Sequence, residues 1–308
     1  MYFLEYITKL LVVLFFPIKF KKLIKKKLNK KKYIGTHQDK TIAINLIEII
    51  SKSLNKNKNI NYIILSSNYS NNLKNKWKNP DQFIKFLTSS FPKITFFFPT
   101  NPIIGLYAEK NYLKKPIFKN YFFNKNSNRI STGLLGSAAI NFPNSIRSSI
   151  PINNLTAIGP QSIIFKKYED LNKINYAMDE NSWWFRLRTN TLWIGIDVNV
   201  TNSFTPIHIL EDQFKFTTNF TKDNWYFKGN FTIDKKNFFN INIRKPMTSI
   251  SYLSYSFFNY LKKNKLIDQS TIGDLKINII NIDETLNFLD NKCYSPFKFV
   301  TFTKLIIK

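Results

Sequence analysis

The spacing of apolar side chains divides the body of the chain into alternating helices and strands. Ile42, Leu46, Ile49 and Ile50 recur at helical spacing within residues 41–55, which predicts an amphipathic helix. Further helices are predicted by the same spacing, or by a proline near the start, at 80–91, 249–261 and 283–289. Unbroken apolar runs predict buried strands at 62–65, 94–98, 191–198, 275–280 and 297–307.

Residues 213–243 follow a different pattern, in which apolar and polar side chains alternate every second position. This alternation predicts an antiparallel meander. Helices that alternate with strands, together with an inserted antiparallel block, indicate an α/β fold with a mixed sheet flanked by helices. The sequence contains no internal repeat and no Gly/Ser-rich linker, so we expect residues 36–308 to form one domain.

The first 35 residues form a separate segment. Residues 2–18 are largely apolar, and residues 19–32 hold nine lysines. The uninterrupted apolar stretch at 10–16 is too short to cross a bilayer. An apolar segment followed by a polybasic one is typical of attachment to an anionic membrane surface, which predicts a cytoplasmic protein held at the inner face of the membrane. The alternative is an ordinary first helix followed by a solvated run of lysines.

The overall charge points to an anionic partner without naming it. The chain has 46 Lys and Arg against 19 Asp and Glu, a formal net charge of +27, which favours binding to polyanions. Many of these lysines can also be ordinary surface residues, because a composition rich in Lys, Asn, Ile and Phe and poor in Gly and Ala is typical of AT-biased coding. No recognition-helix motif is present, so nucleic acid is disfavoured. One cysteine, Cys293, and two histidines exclude a disulfide within the chain and a His- or Cys-rich metal cluster, and no metal is expected.

The segment from Thr205 to Asp212 carries the clearest candidate for chemistry. Thr205 suits a helix N-cap and Pro206 suits the first helical position, which would place His208 in the first turn. Backbone donors at a helix start disfavour imidazolium, so we expect a neutral histidine that can accept a proton. Glu211 and Asp212 lie three and four residues further on, beside His208 on a helix surface. The alternative is a structural histidine with two solvated acids.

Two other polar segments are candidates for binding a ligand. Arg147 and Ser148 lie among hydroxyl and turn residues in 144–151, where an arginine can hold a phosphate or carboxylate. The alternative is an arginine paired structurally within a loop. Ser66 and Ser67 follow the predicted strand at 62–65, so their hydroxyls could line a ligand loop.

Taken in order, these segments resemble the antibiotic N-acetyltransferase family, whose namesakes are the aminoglycoside 3-N-acetyltransferases. The match spans roughly residues 40–290 and ends in a T-x-x-H-x-x-E pattern at Thr205, His208 and Glu211. The other matching segments are Ile63–Ser67, Phe96–Thr100, Pro143 to Ser148, Pro151 with Ala157–Gly159, Asp179–Trp183 and Trp193–Gly195. The chain departs from the family pattern at Ile150, where the family has histidine, and at 68–72, where the family loop is rich in glycine.

The resemblance implies an α/β N-acetyltransferase that uses acetyl-CoA as co-substrate and transfers acetyl directly to an amine. It implies that His208 is the general base. The later carboxylate that orients this histidine in antibiotic-modifying members has no clear counterpart here, so Glu211 and Asp212, beside His208, are the candidates for that role. It also implies that Ser66, Ser67, Arg147 and Ser148 line the cofactor side.

The high positive net charge of the chain argues against an aminoglycoside as the amine acceptor. Aminoglycosides are polycations that need an acidic pocket, which a chain of charge +27 is poorly placed to offer. We therefore expect an amino sugar, such as a precursor of a surface glycan, as the amine acceptor. The alternative function is a non-catalytic, diverged protein of the same fold that binds a polyanion or a membrane. Convergence of His208, Ser67 and Arg147 on one cleft would favour the enzyme.

Overall fold

A computed structural model describes residues 41–102, 121–174, 176–212, 226–232, 238–244 and 255–291. The segment 1–35, residues 213–225 of the predicted meander, the start of the predicted helix at 249–261 and the predicted strand at 297–307 lie outside the described residues.

Helices and strands alternate along the described chain. The helices are α1 Thr41–Lys56, α2 Asn71–Lys76, α3 Pro80–Ser90, α4 Leu134–Asn141, α5 Ile164–Tyr168, α6 Trp183–Arg186, α7 Val200–Ser203, α8 His208–Asp212, α9 Tyr255–Lys263 and α10 Ile282–Asn291. The strands are β1 Tyr62–Ser67, β2 Thr95–Pro99, β3 Tyr121–Phe122, β4 Ile146–Arg147, β5 Leu155–Ile158, β6 Thr191–Ile196, β7 Tyr226–Thr232, β8 Phe238–Arg244, β9 Asp268–Ile272 and β10 Leu275–Asn281.

The main sheet of the described residues has seven strands in the order β4-β5-β2-β1-β6-β10-β9. Its centre is parallel, because β1 pairs with β2 on one side and with β6 on the other in the same direction. The outer pairs β2–β5, β4–β5, β6–β10 and β10–β9 are antiparallel. The predicted α/β class with a mixed sheet is therefore confirmed.

Strand β1 is buried on both faces. Ile63 and Leu65 pack into one hydrophobic cluster with helices α1 and α3, while Ile64 packs into the cluster on the opposite face. A strand covered on both sides has no solvated face, which is why its sequence reads as an unbroken apolar run.

The antiparallel block forms a second, smaller sheet. β7 and β8 pair antiparallel from Tyr226 to Arg244, as the alternating pattern predicted for this part of the chain. The short strand β3 pairs parallel with β7, at Phe122 and Thr232. The second sheet thus draws in a strand from a distant part of the sequence.

Several short elements were not predicted from the sequence. Strand β5 has only four residues, and β4 has two and includes Arg147, which the sequence pattern had placed in a loop. Half of the residues in helix α4 are small, and the helix lies against β2, where a Cβ on Gly136 would clash with the carbonyl oxygen of Pro99. Such elements form through their neighbours, and their own apolar period is too short to predict them.

Because β1 is buried on both faces, truncating an apolar side chain on either face should destabilise the protein. Ile63→Ala and Ile64→Ala should each lower the free energy of unfolding by about 2–5 kcal/mol, because each leaves a cavity in a packed cluster. The matched control is Ile44→Ala in α1, whose side chain is 59% exposed, and its cost should stay below about 0.5 kcal/mol. Chemical denaturation measures all three, and a small loss for either core variant would contradict the two-sided packing.

Candidate active site

A cleft of about 380 Å³ opens where the three parallel strands end. Ligands of open α/β sheets bind outside the carboxyl ends of the strands, where neighbouring connections leave in opposite directions. β1 is such a point, since β2 and β6 flank it on opposite sides. The described lining residues are Leu65, Ser66, Ser67, Asn68, Phe98, Pro99, Asn101, Ser131, Thr132, Gly133, Leu135, Gly136, Val198, Ser203 and Thr205.

The loop after β1 forms one wall. Tyr69 has a φ of 47°, a left-handed conformation that glycine adopts most readily. Its backbone N–H donates to Ser67 Oγ at 3.0 Å, and its phenol donates to the Trp77 carbonyl at 2.5 Å. Burial, and then the negative charge of Asp81, raises the pKa of Tyr69 to about 12. A buried tyrosine thus anchors the backbone turn where the resembled family has a glycine-rich loop.

The opposite wall comes from the end of β2 and the start of α4. Gly133 is the N-cap of α4, has a φ of 86°, and leaves the helix start without a side-chain cap. The Oδ1 of Asn101 and the Oγ1 of Thr132 are shielded from solvent and have no hydrogen-bond partner among the described residues. This wall therefore holds neutral hydrogen-bonding groups with unused capacity. Asn101 was not predicted from the sequence, although it directly follows the predicted strand and the Pro-Thr pair.

The third wall lies shortly before the candidate base in the sequence. A 3-10 turn at Thr205–Ile207 leads into helix α8, which begins at His208. The prediction that Thr205 is the N-cap is wrong, because Phe204 precedes the turn in that position and the Thr205 hydroxyl lies 3.5 Å from the Ser203 carbonyl. Thr205 lines the cleft, whereas His208, three residues further on, is partly buried and is not among the described lining residues. Side chains three residues apart eclipse in a 3-10 turn, which favours a place for His208 on the same side.

The side chains of Glu211 and Asp212 lie outside what the structure describes, although both residues belong to α8. Their role in orienting His208 stays a prediction.

Arg147 is held by protein groups. It is 7% exposed and does not appear among the described residues that line the cleft. Its Nε donates to Asn154 Oδ1 at 2.7 Å, and its terminal nitrogens donate to the carbonyls of Thr100, Lys125 and Ser127 at 2.7–2.9 Å. These contacts tie the end of β2 and the loop at 124–128 to the buried sheet edge. These contacts favour a structural role for Arg147, in which it supports the cleft from outside its lining, over direct contact with a cofactor.

Ser148 takes part in a second buried network. Its hydroxyl donates to Glu169 Oε1 at 2.5 Å. The indole N–H of Trp183 lies 3.0 Å from both Ser148 Oγ and Glu169 Oε1 and donates to them. The backbone N–H groups of Ser149 and Ile150 also donate to that carboxylate oxygen, at 2.7 and 3.2 Å. Glu169, which sequence reasoning did not select, thus occupies the backbone donors beside the position where the resembled family has histidine.

The structure therefore brings Ser66, Ser67 and Thr205 together at one cleft. Of the three residues expected to converge, Ser67 lines the cleft, whereas Arg147 and His208 are not among the described lining residues, and neither is Ser148. The functional roles of these residues stay predictions. Within the described ranges, no group of three or more His, Cys, Asp or Glu could hold a metal ion. No helix within those ranges is both long enough and apolar enough to cross a membrane.

Comparison with solved structures identifies the fold. Aminoglycoside acetyltransferase AAC(3)-IVa, solved as the apoenzyme, superposes with a TM-score of 0.59 at 15% identity, covering 87% of this chain and 93% of that one. The chain has the fold of the aminoglycoside acetyltransferases. The resemblance found in the sequence is therefore confirmed as a likeness of fold.

Two further structures agree with this assignment. AAC-IIIb, solved as a binary complex with CoASH, gives a TM-score of 0.58 at 12% identity, with 80% of this chain and 96% of that one covered. The YokD protein from Bacillus subtilis gives 0.56 at 13% identity, with coverages of 83% and 98%. No protein-family model matches the sequence, and no curated protein matches it. The assignment of the acetyltransferase fold thus rests on the comparison of structures.

The contacts of Arg147 predict that lysine cannot replace it. Arg147→Lys should lower the free energy of unfolding by about 2–4 kcal/mol, because an ammonium loses the planar fork and several charge-assisted hydrogen bonds. Arg129→Lys is the matched control, because Arg129 is exposed, and it should change stability by less than about 0.5 kcal/mol. Thermal and chemical denaturation measure both. Full stability of Arg147→Lys would show that the guanidinium does not hold these loops.

Proposed function

We propose that this protein is an acetyl-CoA-dependent N-acetyltransferase acting on an amino sugar, with His208 as the general base. The observation that carries the proposal is the cleft at the ends of the parallel strands, with Ser66 and Ser67 on one wall and Thr205, three residues before His208, on another. Its support is the shared fold with acetyltransferases, among them a protein solved with CoASH.

The β1 wall suits the amide-rich arm of acetyl-CoA. Ser66 Oγ accepts a hydrogen bond from the Trp193 indole at 3.2 Å, and Ser67 Oγ accepts one from the Tyr69 N–H. Each hydroxyl keeps its own hydrogen, and neither has an acceptor for it within the described part of the chain. These hydrogens can be donated to carbonyl oxygens of a bound molecule. When bound, acetyl-CoA supplies an acetyl group activated as a thioester.

His208 would handle the proton of the reaction. A neutral imidazole accepts a proton from the attacking amine nitrogen as the nitrogen–carbon bond forms and the carbon–sulfur bond breaks. It can then return this proton to the departing thiolate, so that the products are an amide and a free thiol. Holding donor and acceptor in one cleft supplies much of the acceleration, because the encounter becomes intramolecular.

The cleft wall indicates which amine it would accept. Its described polar side chains are serine, threonine and asparagine, and no carboxylate is among the described lining residues. Neutral hydroxyl and amide groups recognise the hydroxyls of a sugar by hydrogen bonds, whereas a polycation would need carboxylates nearby. This lining and the net charge of +27 favour an amino sugar that is neutral or carries phosphate over an aminoglycoside.

The membrane attachment expected for residues 1–35 remains part of the proposal as a prediction. That segment lies outside the described residues.

The role of His208 has a direct test. His208→Ala should lower kcat/KM for acetyl transfer about 100-fold to 10,000-fold, because the amine loses its proton acceptor. The matched control is His37→Ala, since His37 is the other histidine of the chain, and it should keep full activity. Mass spectrometry of products from acetyl-CoA and a panel of UDP-amino sugars measures turnover. Activity that survives in His208→Ala would remove the proposed base, and wild type without any acetylated product would favour the non-catalytic alternative.

The acceptor preference can be tested by charge. At low ionic strength, kcat/KM for amino sugars with a single amine and a phosphate should exceed that for aminoglycosides by about tenfold or more, since the protein repels polycations. Added salt should narrow the difference, because it screens the repulsion. Steady-state kinetics on both acceptor classes at two salt concentrations measures this. A preference for the aminoglycosides at low salt would contradict the proposal that the cleft has no carboxylates to attract a polycation.

A further inference from the structure

Trp193 lies at the centre of β6, directly beneath the cleft. Its side chain is fully buried, and it does not appear among the described lining residues. A buried indole N–H must find an acceptor to avoid the cost of an unsatisfied donor. The acceptors found by Trp193 belong to two different walls of the site.

The indole N–H of Trp193 lies 3.2 Å from Ser66 Oγ and also 3.2 Å from the carbonyl oxygen of Ser203. The first acceptor belongs to the end of β1, on the wall proposed for acetyl-CoA. The second precedes the turn that leads to His208. One donor shared between two acceptors thus links the wall proposed for acetyl-CoA to the wall formed by Ser203 and Thr205.

The ring of Trp193 has little room to move. It packs edge-on against Phe204, with ring centroids 5.6 Å apart. It also covers Gly195, where an added Cβ would clash with the ring and would lie 2.9 Å from Val198 Cγ2. A ring confined in this way presents its N–H in one direction.

This direction determines what Ser66 can do. Ser66 is 6% exposed and lines the cleft. Because its oxygen accepts from the indole, the lone-pair side faces Trp193 and the hydroxyl hydrogen points elsewhere. With no acceptor for that hydrogen among the described residues, it is available to a carbonyl oxygen in the cleft.

We infer that Trp193 is a positioning residue, which aims the Ser66 hydroxyl at a carbonyl of the acetyl donor and holds the segment before His208 in register with it. This inference rests on the proposed function. It adds a residue that touches neither substrate and acts through Ser66 and the Ser203 carbonyl.

The test compares Trp193→Phe with Trp184→Phe. Both remove a buried indole N–H, but the Trp184 N–H donates to the Asn153 carbonyl at 2.9 Å, away from the cleft lining. Trp193→Phe should lower kcat about tenfold to a hundredfold with little change in KM for acetyl-CoA, because alignment of the reactants is lost. Trp184→Phe should keep kcat while losing comparable thermal stability.

A double-mutant cycle with Ser66→Ala separates positioning from general damage. If Trp193 acts through Ser66, the double variant should be no slower than the slower single variant, whereas independent effects would multiply. Trp184→Phe combined with Ser66→Ala should simply show the Ser66→Ala rate. Multiplying effects in the Trp193 pair, or an equal loss of kcat in Trp184→Phe, would overturn the inference.

A readout without turnover distinguishes this inference from the proposed function. In 15N-labelled protein, the Trp193 indole resonance, assigned by its loss in Trp193→Phe, should shift in Ser66→Ala and on addition of CoA. The Trp184 resonance should shift in neither case. An unmoved Trp193 resonance in Ser66→Ala overturns the inference even in an active enzyme. Wild type that binds no CoA by calorimetry overturns the proposed function, while the Ser66→Ala shift still reports on the pair.

Discussion

Strand β1 is buried on both faces and pairs in parallel with a neighbour on each side, and the remaining architecture depends on that constraint. Parallel pairing brings the carboxyl ends of β1, β2 and β6 to the same edge of the sheet. Polar residues that follow each strand then meet there, although more than a hundred positions separate Ser67 from Thr205 in the sequence. A shift of register by one residue would move each side chain of β1 into the cluster on the opposite face, where the packed neighbours differ.

Two buried polar networks hold the segments around this edge. In the first, Asn154 accepts hydrogen bonds from Arg147 and Thr100 and donates to the carbonyls of Ser148 and Ile150. In the second, the Glu169 carboxylate gathers backbone and side-chain donors next to β4. Each network satisfies groups that would otherwise be costly to bury, so removing one partner exposes several others to that cost. A cleft that needs fixed walls is thereby supported by groups that do not enter it.

Much of the fold could be predicted from local pattern, and much of the site could not. The runs at 62–65, 94–98 and 191–198 became strands because a doubly covered strand is apolar throughout. Strands as short as β4 and β5 give no period, so the sequence placed Arg147 in a loop and left open whether it binds an anion or is paired structurally. Its partners include Thr100 and Asn154, and only the pairing of β2 with β5 brings them together. Ser66 and Ser67 were found because they end a recognisable strand. Asn101 also follows a predicted strand but was not selected, and Thr132 carries no distinguishing local signal.

By itself, the sequence determined the alternation of helices and strands, the mixed α/β class, the resemblance to acetyltransferases and the high positive charge, because each follows from residue types and their local spacing. Tertiary structure decided which polar residues share the cleft, since that depends on strand order. It also decided that Arg147 and Ser148 are engaged by protein groups and that the described lining is neutral. The link through Trp193 is likewise tertiary, because one indole N–H reaches Ser66 and the Ser203 carbonyl only when β6 lies beside β1.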